Sequence, residues 1–143
     1  MIGRALTTLG DVEPLLRRPL VVAVLGCHPQ THRPAHEVPA WLVAQGHTVL
    51  PVNPRFAGTR LFGREVVARL DALRVPVDVV DVFRRSDDVP AHVDEILAMQ
   101  PLPKVVWLQS GIEHDEACAR LRQAGIDTVE DRCMLADGRR LGL

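Results

Sequence analysis

The residues Val21-Val22-Ala23-Val24-Leu25 run straight into Gly26-Cys27-His28-Pro29, and no other stretch limits the fold as tightly. Five consecutive apolar residues rich in β-branched side chains are too few for a free-standing helix and fit a strand buried on both faces. Strands of that kind belong to parallel sheets covered by helices. In such sheets ligands sit beyond the carboxyl ends of the strands, so a buried strand that stops at a glycine points towards a site.

The rest of the chain repeats the pattern. Ala5 to Arg17 carries Leu6, Leu9, Val12, Leu15 and Leu16 at helical spacing before Pro19, so residues 1–18 are expected to form a helical segment packed on the body of the domain. After the loop Gly26–Arg33, the residues Val38, Trp41, Leu42 and Ala44 share one face of a helix that opens at Pro34 and stops at Gly46. Thr48–Val52 reads as a second strand ended by Asn53-Pro54, and a loop with Gly58 and Gly63 leads to a helical turn over Glu65–Leu73. Val77–Phe83 is the third strand, in which Asp81 needs either an edge position or a hydrogen-bond donor.

Val89, Val93, Ile96 and Leu97 stripe a further helix that Pro101 and Pro103 terminate. Lys104–Leu108 is the fourth strand, His114–Gln123 a helix capped by Ala124-Gly125, and Ile126–Glu130 a fifth, short strand. This alternation with short connections predicts an α/β fold, a doubly wound parallel sheet of about five strands with flanking helices. At 143 residues one domain accounts for the chain.

A composition 47% hydrophobic and 24% charged, with a formal net charge of −1, argues against a nucleic-acid or membrane binder, so any positive site has to be local. Residues 1–10 lack the long apolar core of a signal peptide or membrane span, which leaves the cytoplasm as the expected compartment. Cys27, Cys118 and Cys133 are an odd set without close spacing, as expected of reduced thiols rather than a disulfide framework or zinc site.

Four segments carry a resemblance: Leu50-Pro51-Val52-Asn53-Pro54-Arg55, Val77-Asp78-Val79-Val80-Asp81-Val82-Phe83-Arg84, Val105-Val106-Trp107-Leu108-Gln109-Ser110-Gly111 and Asp131-Arg132-Cys133. In order and spacing the chain from about Leu15 to Gly142 resembles the small CoA-binding proteins, which are similar to the nucleotide-binding part of the succinyl-CoA synthetase alpha subunit. That resemblance implies a Rossmann-like fold and a coenzyme A or acyl-CoA ligand. It also implies that Gly26 to His28, Asn53, Pro54 and Arg55, Phe83 to Ser86, and Gln109, Ser110 and Gly111 surround the ligand. Two positions depart from the family pattern: His28 stands where serine or threonine is usual, and His114 where asparagine is common.

CoA combines phosphates, an adenine and a thiol arm, and the residues offer matching groups. Gly26 lets backbone approach a ligand, and the loop through Cys27, His28, Thr31 and Arg33 leads into a helix N-terminus that favours a phosphate, although a plain strand-to-helix turn would look the same. Arg33, Arg55, Arg84 and Arg85, with Ser86 beside them, are candidates for phosphate contact, against the alternative of solvated surface charges. Val82, Phe83 and Val89 suit either an adenine slot or ordinary core.

Other chemistries fit less well. A dinucleotide dehydrogenase needs further glycines after Gly26 and an acidic residue after the second strand, where Arg55 stands instead. His28, His32 and His36 are four apart, but Pro29 and Pro34 interrupt the helix that would align them on a metal. Cys27 suits either a reactive thiol at a helix start or a small buried residue, and Cys118, Cys133, Met99 and Met134 read as core or near-core.

No P-loop, G-x-S-x-G or H-E-x-x-H motif is present. The leading expectation is therefore a module that binds CoA or acyl-CoA without a catalytic step of its own. The alternatives are an enzyme acting on a CoA thioester or related nucleotide through Cys27 or His28, and a protein-interaction domain with a vestigial crevice. A homodimer is the default assembly, and an unidentified protein partner is compatible with each reading.

Overall fold

Strands form where valine and leucine are densest, and the helices between them cover both faces of the resulting sheet. The computed structural model describes all 143 residues. In chain order the elements are α1 (Leu9–Leu16), β1 (Val21–Leu25), α2 (Pro34–Ala44), β2 (Thr48–Val52), β3 (Arg60–Leu61), β4 (Arg64–Glu65) and β5 (Val79–Val82). They continue with α3 (Val89–Leu97), β6 (Val105–Leu108), α4 (Asp115–Gln123), β7 (Asp127–Val129) and α5 (Met134–Arg140). The five long strands make one parallel sheet in the order β2-β1-β5-β6-β7, while β3 and β4 pair as a separate hairpin. The fold is the expected Rossmann-like α/β architecture.

Alternation along each strand sorts its side chains to two cores. Ala23, Leu25, Val80, Val82, Val106 and Leu108 pack with Val93 and Ile96 of α3 and Leu121 of α4. Val22, Val24, Val79 and Trp107 pack on the opposite face with Val12 and Leu16 of α1, Val38 and Leu42 of α2, and Met134 of α5. No helix is long and apolar enough to cross a membrane.

The structure corrects several local expectations. The first helix starts at Leu9, not Ala5, because Thr8 and Asp11 form a reciprocal capping box. Before it, Ala5 bridges in parallel to Thr128 of β7, and the Leu6 amide donates to the Thr128 carbonyl at 2.8 Å. Glu65–Leu73 is not a continuous helical turn: Glu65 lies in β4, Val67 bridges to Val52 on the open side of β2, and Leu70–Ala72 alone makes a 3-10 turn. A strand edge with free amides and carbonyls drew this segment into extended pairing.

Asp81 lies in a central strand with Gln109 as its donor. The helix α5 has no counterpart among the expected elements. Local charges hold it: the buried Asp137 accepts from Arg132, just ahead of the helix, at 2.8 and 3.0 Å and from Arg140 within it at 3.2 Å. Gly138 leaves room for Trp41 of α2, whose ring would clash with an added Cβ.

Candidate functional site

The order of the sheet reverses at β1, with β2 on one side and β5 on the other, and a doubly wound sheet opens at such a point. A crevice of about 630 Å³ lies there, beyond the carboxyl ends of β1, β5 and β6. Arg33, Pro34, Ala35 and Val38 supply the wall formed by the start of α2. Phe83, Arg84, Arg85 and Ser86 come from the exit of β5, and Gln109, Ser110, Gly111 and Ile112 from the exit of β6. Cys133, just before α5, closes the remaining side. A volume of this size suits a small organic ligand.

Local chemistry shapes each wall. Arg33 is the N-cap of α2 and its side chain makes no capping bond, so no side chain competes for the first turn of this helix. By contrast, α4 is capped by His114, whose Nδ1 accepts from the Ala117 amide at 3.1 Å. Ser86 Oγ accepts from the Glu113 amide at 3.0 Å, tying the β5 exit to the β6 exit. Gly111 has φ +83°, and its amide donates to Asp131 Oδ1 at 2.6 Å.

Other expected site residues support the crevice from behind or stand beside it. Gly26 (φ +89°) passes so close to β5 that an added Cβ would lie 2.7 Å from the Phe83 carbonyl oxygen and 3.4 Å from Arg84 Cδ. Its conformation and its contacts both require glycine. Cys27 is fully buried, and burial pushes its thiol up to about 12, so it carries no thiolate near neutral pH. Asn53 joins two loops, Nδ2 donating to the Cys27 carbonyl at 3.0 Å and Oδ1 accepting from the Arg55 amide at 3.0 Å.

Pro54, Arg55 and Thr31 are exposed and outside the crevice lining, and the Arg55 guanidinium lies 5.2 Å from the Phe56 ring centre. Val82 and Val89 face the α3–α4 core, away from the wall that Val38 provides. His28 packs edge-on to Phe56 at 4.9 Å, while His36 meets Phe62 at 4.9 Å. No group of three or more metal-binding side chains gathers anywhere.

Three buried side-chain polar atoms have no hydrogen-bond partner: His28 Nε2, Asp81 Oδ2 and Arg84 Nε. All three belong to the carboxyl ends of β1 and β5. His28 accepts at Nδ1 from the Gln30 amide at 3.1 Å, which makes Nε2 its donor end. Burial, then the nearby charges of Arg33 and Arg55, hold its pKa below the ordinary histidine value. Asp81 is fully buried and its carboxyl is pushed up to about 7 by desolvation, against the opposing effect of Gln109.

Thus the structure gathers Arg33, Phe83, Arg84, Arg85, Ser86, Gln109, Ser110 and Gly111 around one space. Sequence reasoning does not single out Pro34, Ala35, Val38, Ile112 or Cys133 as lining it. Only Cys133 carries a usable signal, as part of the Asp131-Arg132-Cys133 segment.

A family model described as the CoA binding domain matches residues 21–139. The chain belongs to this CoA-binding domain family. Uncharacterized protein YneT of Bacillus subtilis (strain 168) is 30% identical to this CoA-binding domain protein over 124 residues, covering 87% of this chain and 89% of YneT. The solved structure of cell-free ID.343 from Thermus thermophilus matches with a TM-score of 0.87 and 47% identity, over 94% of this chain and 98% of that one. A hypothetical protein from Pyrococcus horikoshii OT3 matches with a TM-score of 0.85 and 29% identity, over 95% of this chain and 93% of its own.

Proposed function

We propose that this CoA-binding domain protein holds coenzyme A or an acyl-CoA in the crevice between α2 and the exits of β5 and β6, without a catalytic step of its own. The observation that carries this reading is the gathering of Arg33, Arg84 and Arg85 around one crevice, with Arg84 Nε buried there and without a partner. A buried donor without an acceptor costs about 1–3 kcal/mol, a cost that a polar ligand can offset.

The donor set fits an anionic nucleotide. Arg33, Arg84 and Arg85 supply positive charge, and the uncapped start of α2 supplies its dipole. Phe83, Val38 and Ile112 offer apolar surface to the adenine or the pantetheine arm. Charge-assisted hydrogen bonds contribute roughly 1.5–3 kcal/mol each, so two or three with apolar burial reach the ~8 kcal/mol of micromolar binding. The protonated state of Cys27 supports a binding role over nucleophilic catalysis at that residue.

Isothermal titration with CoA, 3′-dephospho-CoA and NAD tests the reading. Binding of CoA in preference to NAD is the expected result, and loss of affinity without the 3′-phosphate would assign that group to the arginines. Failure of CoA to bind, with the protein folded, would leave a relative of the family whose crevice serves another ligand or a protein partner.

A further inference from the structure

Asp81 is the penultimate residue of β5, in register with Val24 of β1 and Trp107 of β6. Its face of the sheet is covered by apolar residues, Val38 and Leu42 from α2 and Met134 from α5. The titratable neighbour on the β1 side is Cys27, a neutral thiol. The charged groups around the crevice, Arg33, Arg84 and Arg85, and the Arg132–Asp137 pair beside α5, make no hydrogen bond or ion pair with Asp81. Its one hydrogen-bond partner is Gln109, whose Nε2 donates to Oδ1 at 2.6 Å, leaving Oδ2 with no partner.

Gln109 itself lines the crevice. With Nε2 committed to Asp81, its Oε1 is the polar end left for a ligand. A side-chain amide is nearly symmetric in shape and opposite in chemistry at its two ends, so a half-turn exchanges acceptor for donor without moving the chain. A carboxylate can only accept, whereas a carboxylic acid can also donate.

We propose that Asp81 is the positioning residue for Gln109, and that its protonation state sets whether the crevice floor offers a hydrogen-bond acceptor or a donor. Ionised, Asp81 holds the amide nitrogen inward, and the outward Oε1 favours N–H groups of a ligand. After taking a proton from solvent, Asp81 donates to Oε1, and the outward NH2 favours a carbonyl or phosphate oxygen. The upward shift of the Asp81 carboxyl to about 7 puts this change near neutrality. The amide turn stands independently of the ligand, while its effect on specificity rests on the CoA reading.

The test needs no ligand at first. In protein with isotope-labelled Asp and Gln, solvent exchange of the Gln109 Nε2 protons is followed by NMR through the Asp81 titration, relative to the exposed Gln30 and Gln45. The relative rate is expected to be at least about tenfold slower when Asp81 is ionised, as for loss of one hydrogen bond, and Asp81→Asn is expected to abolish the step. A ratio that ignores the Asp81 midpoint overturns the proposal, and the wild-type titration decides this alone if Asp81→Asn does not fold.

CoA affinity is then measured across the same pH range. A change of about fivefold or more in the wild type, absent in Asp81→Asn, supports the specificity role. Constant affinity while the amide turns overturns that role. If CoA fails to bind at every pH, the proposed function falls, and the exchange ratio still decides the turn.

Discussion

Two aspartates three residues apart at β5 have opposite surroundings. Asp78, before the strand, accepts from the Val21 amide at 2.8 Å and faces Lys104 at 3.5 Å and Arg18 at 4.0 Å. Asp81, near the strand's carboxyl end, is fully buried with one partner. The contrast extends through the molecule. Away from the crevice, His47 accepts from the Leu20 amide, Glu95 from the Leu70 amide, and Asp137 from Arg132 and Arg140. The polar groups that hold the scaffold together are thus paired, and the three unpaired buried atoms cluster past the carboxyl ends of β1 and β5, where Arg84 alone of the three residues lines the crevice.

The largest test of this contrast is Asp81→Asn. Because the folded-state pKa is raised from 3.8 to about 7, the protonated group fits best. Its penalty is absent below the unfolded value, grows as pH rises between the two and is complete above the folded one. At about 1.4 kcal/mol per pKa unit, the wild type is expected to lose roughly 4–5 kcal/mol through this group, and urea unfolding should show Asp81→Asn without that loss.

Arg84→Ala addresses the same end through affinity. Loss of about 1.5–3 kcal/mol in CoA binding is expected by calorimetry, with the unfolding midpoint nearly unchanged. A midpoint that falls with the affinity would class Arg84 with the scaffold. Asp78→Ala should do the reverse, costing roughly 1–3 kcal/mol of stability while CoA affinity holds.

Acid supplies the smallest test. Burial raises the pKa of Glu95, but hydrogen bonds from His92 and the Leu70 amide outweigh it and leave the pKa lowered from 4.5. Its stabilisation is therefore present above that value and lost as pH falls through the folded one. Glu95→Gln should flatten this acid limb, read from unfolding curves below pH ~5. An unchanged acid limb would mean that another carboxylate sets it.

Much of this arrangement is legible in the sequence because long apolar runs have few alternatives. Val21–Leu25 and Val105–Leu108 are strands, and their ends place Gly26 and Gln109. The facing of side chains is less legible: where both faces are buried, nothing in the pattern says that Phe83 reaches the crevice while Val82 points into the α3–α4 core. The hairpin of β3 and β4 escapes a sequence reading because two-residue strands carry no periodicity. The helix α5 escapes it because its carboxylate is neutralised by Arg132 outside the helix and its glycine answers to Trp41, contacts that exist only after folding.

The bridge between Ala5 and Thr128 sets an order of events for a chain made from its amino terminus. Ala5 has no strand to pair with until Thr128, far along the chain, has been made, and β1 keeps one side open until β5 arrives. The sheet extends in one direction from the β2–β1 edge through β5 and β6, and the last strand, β7, fastens the segment that precedes α1.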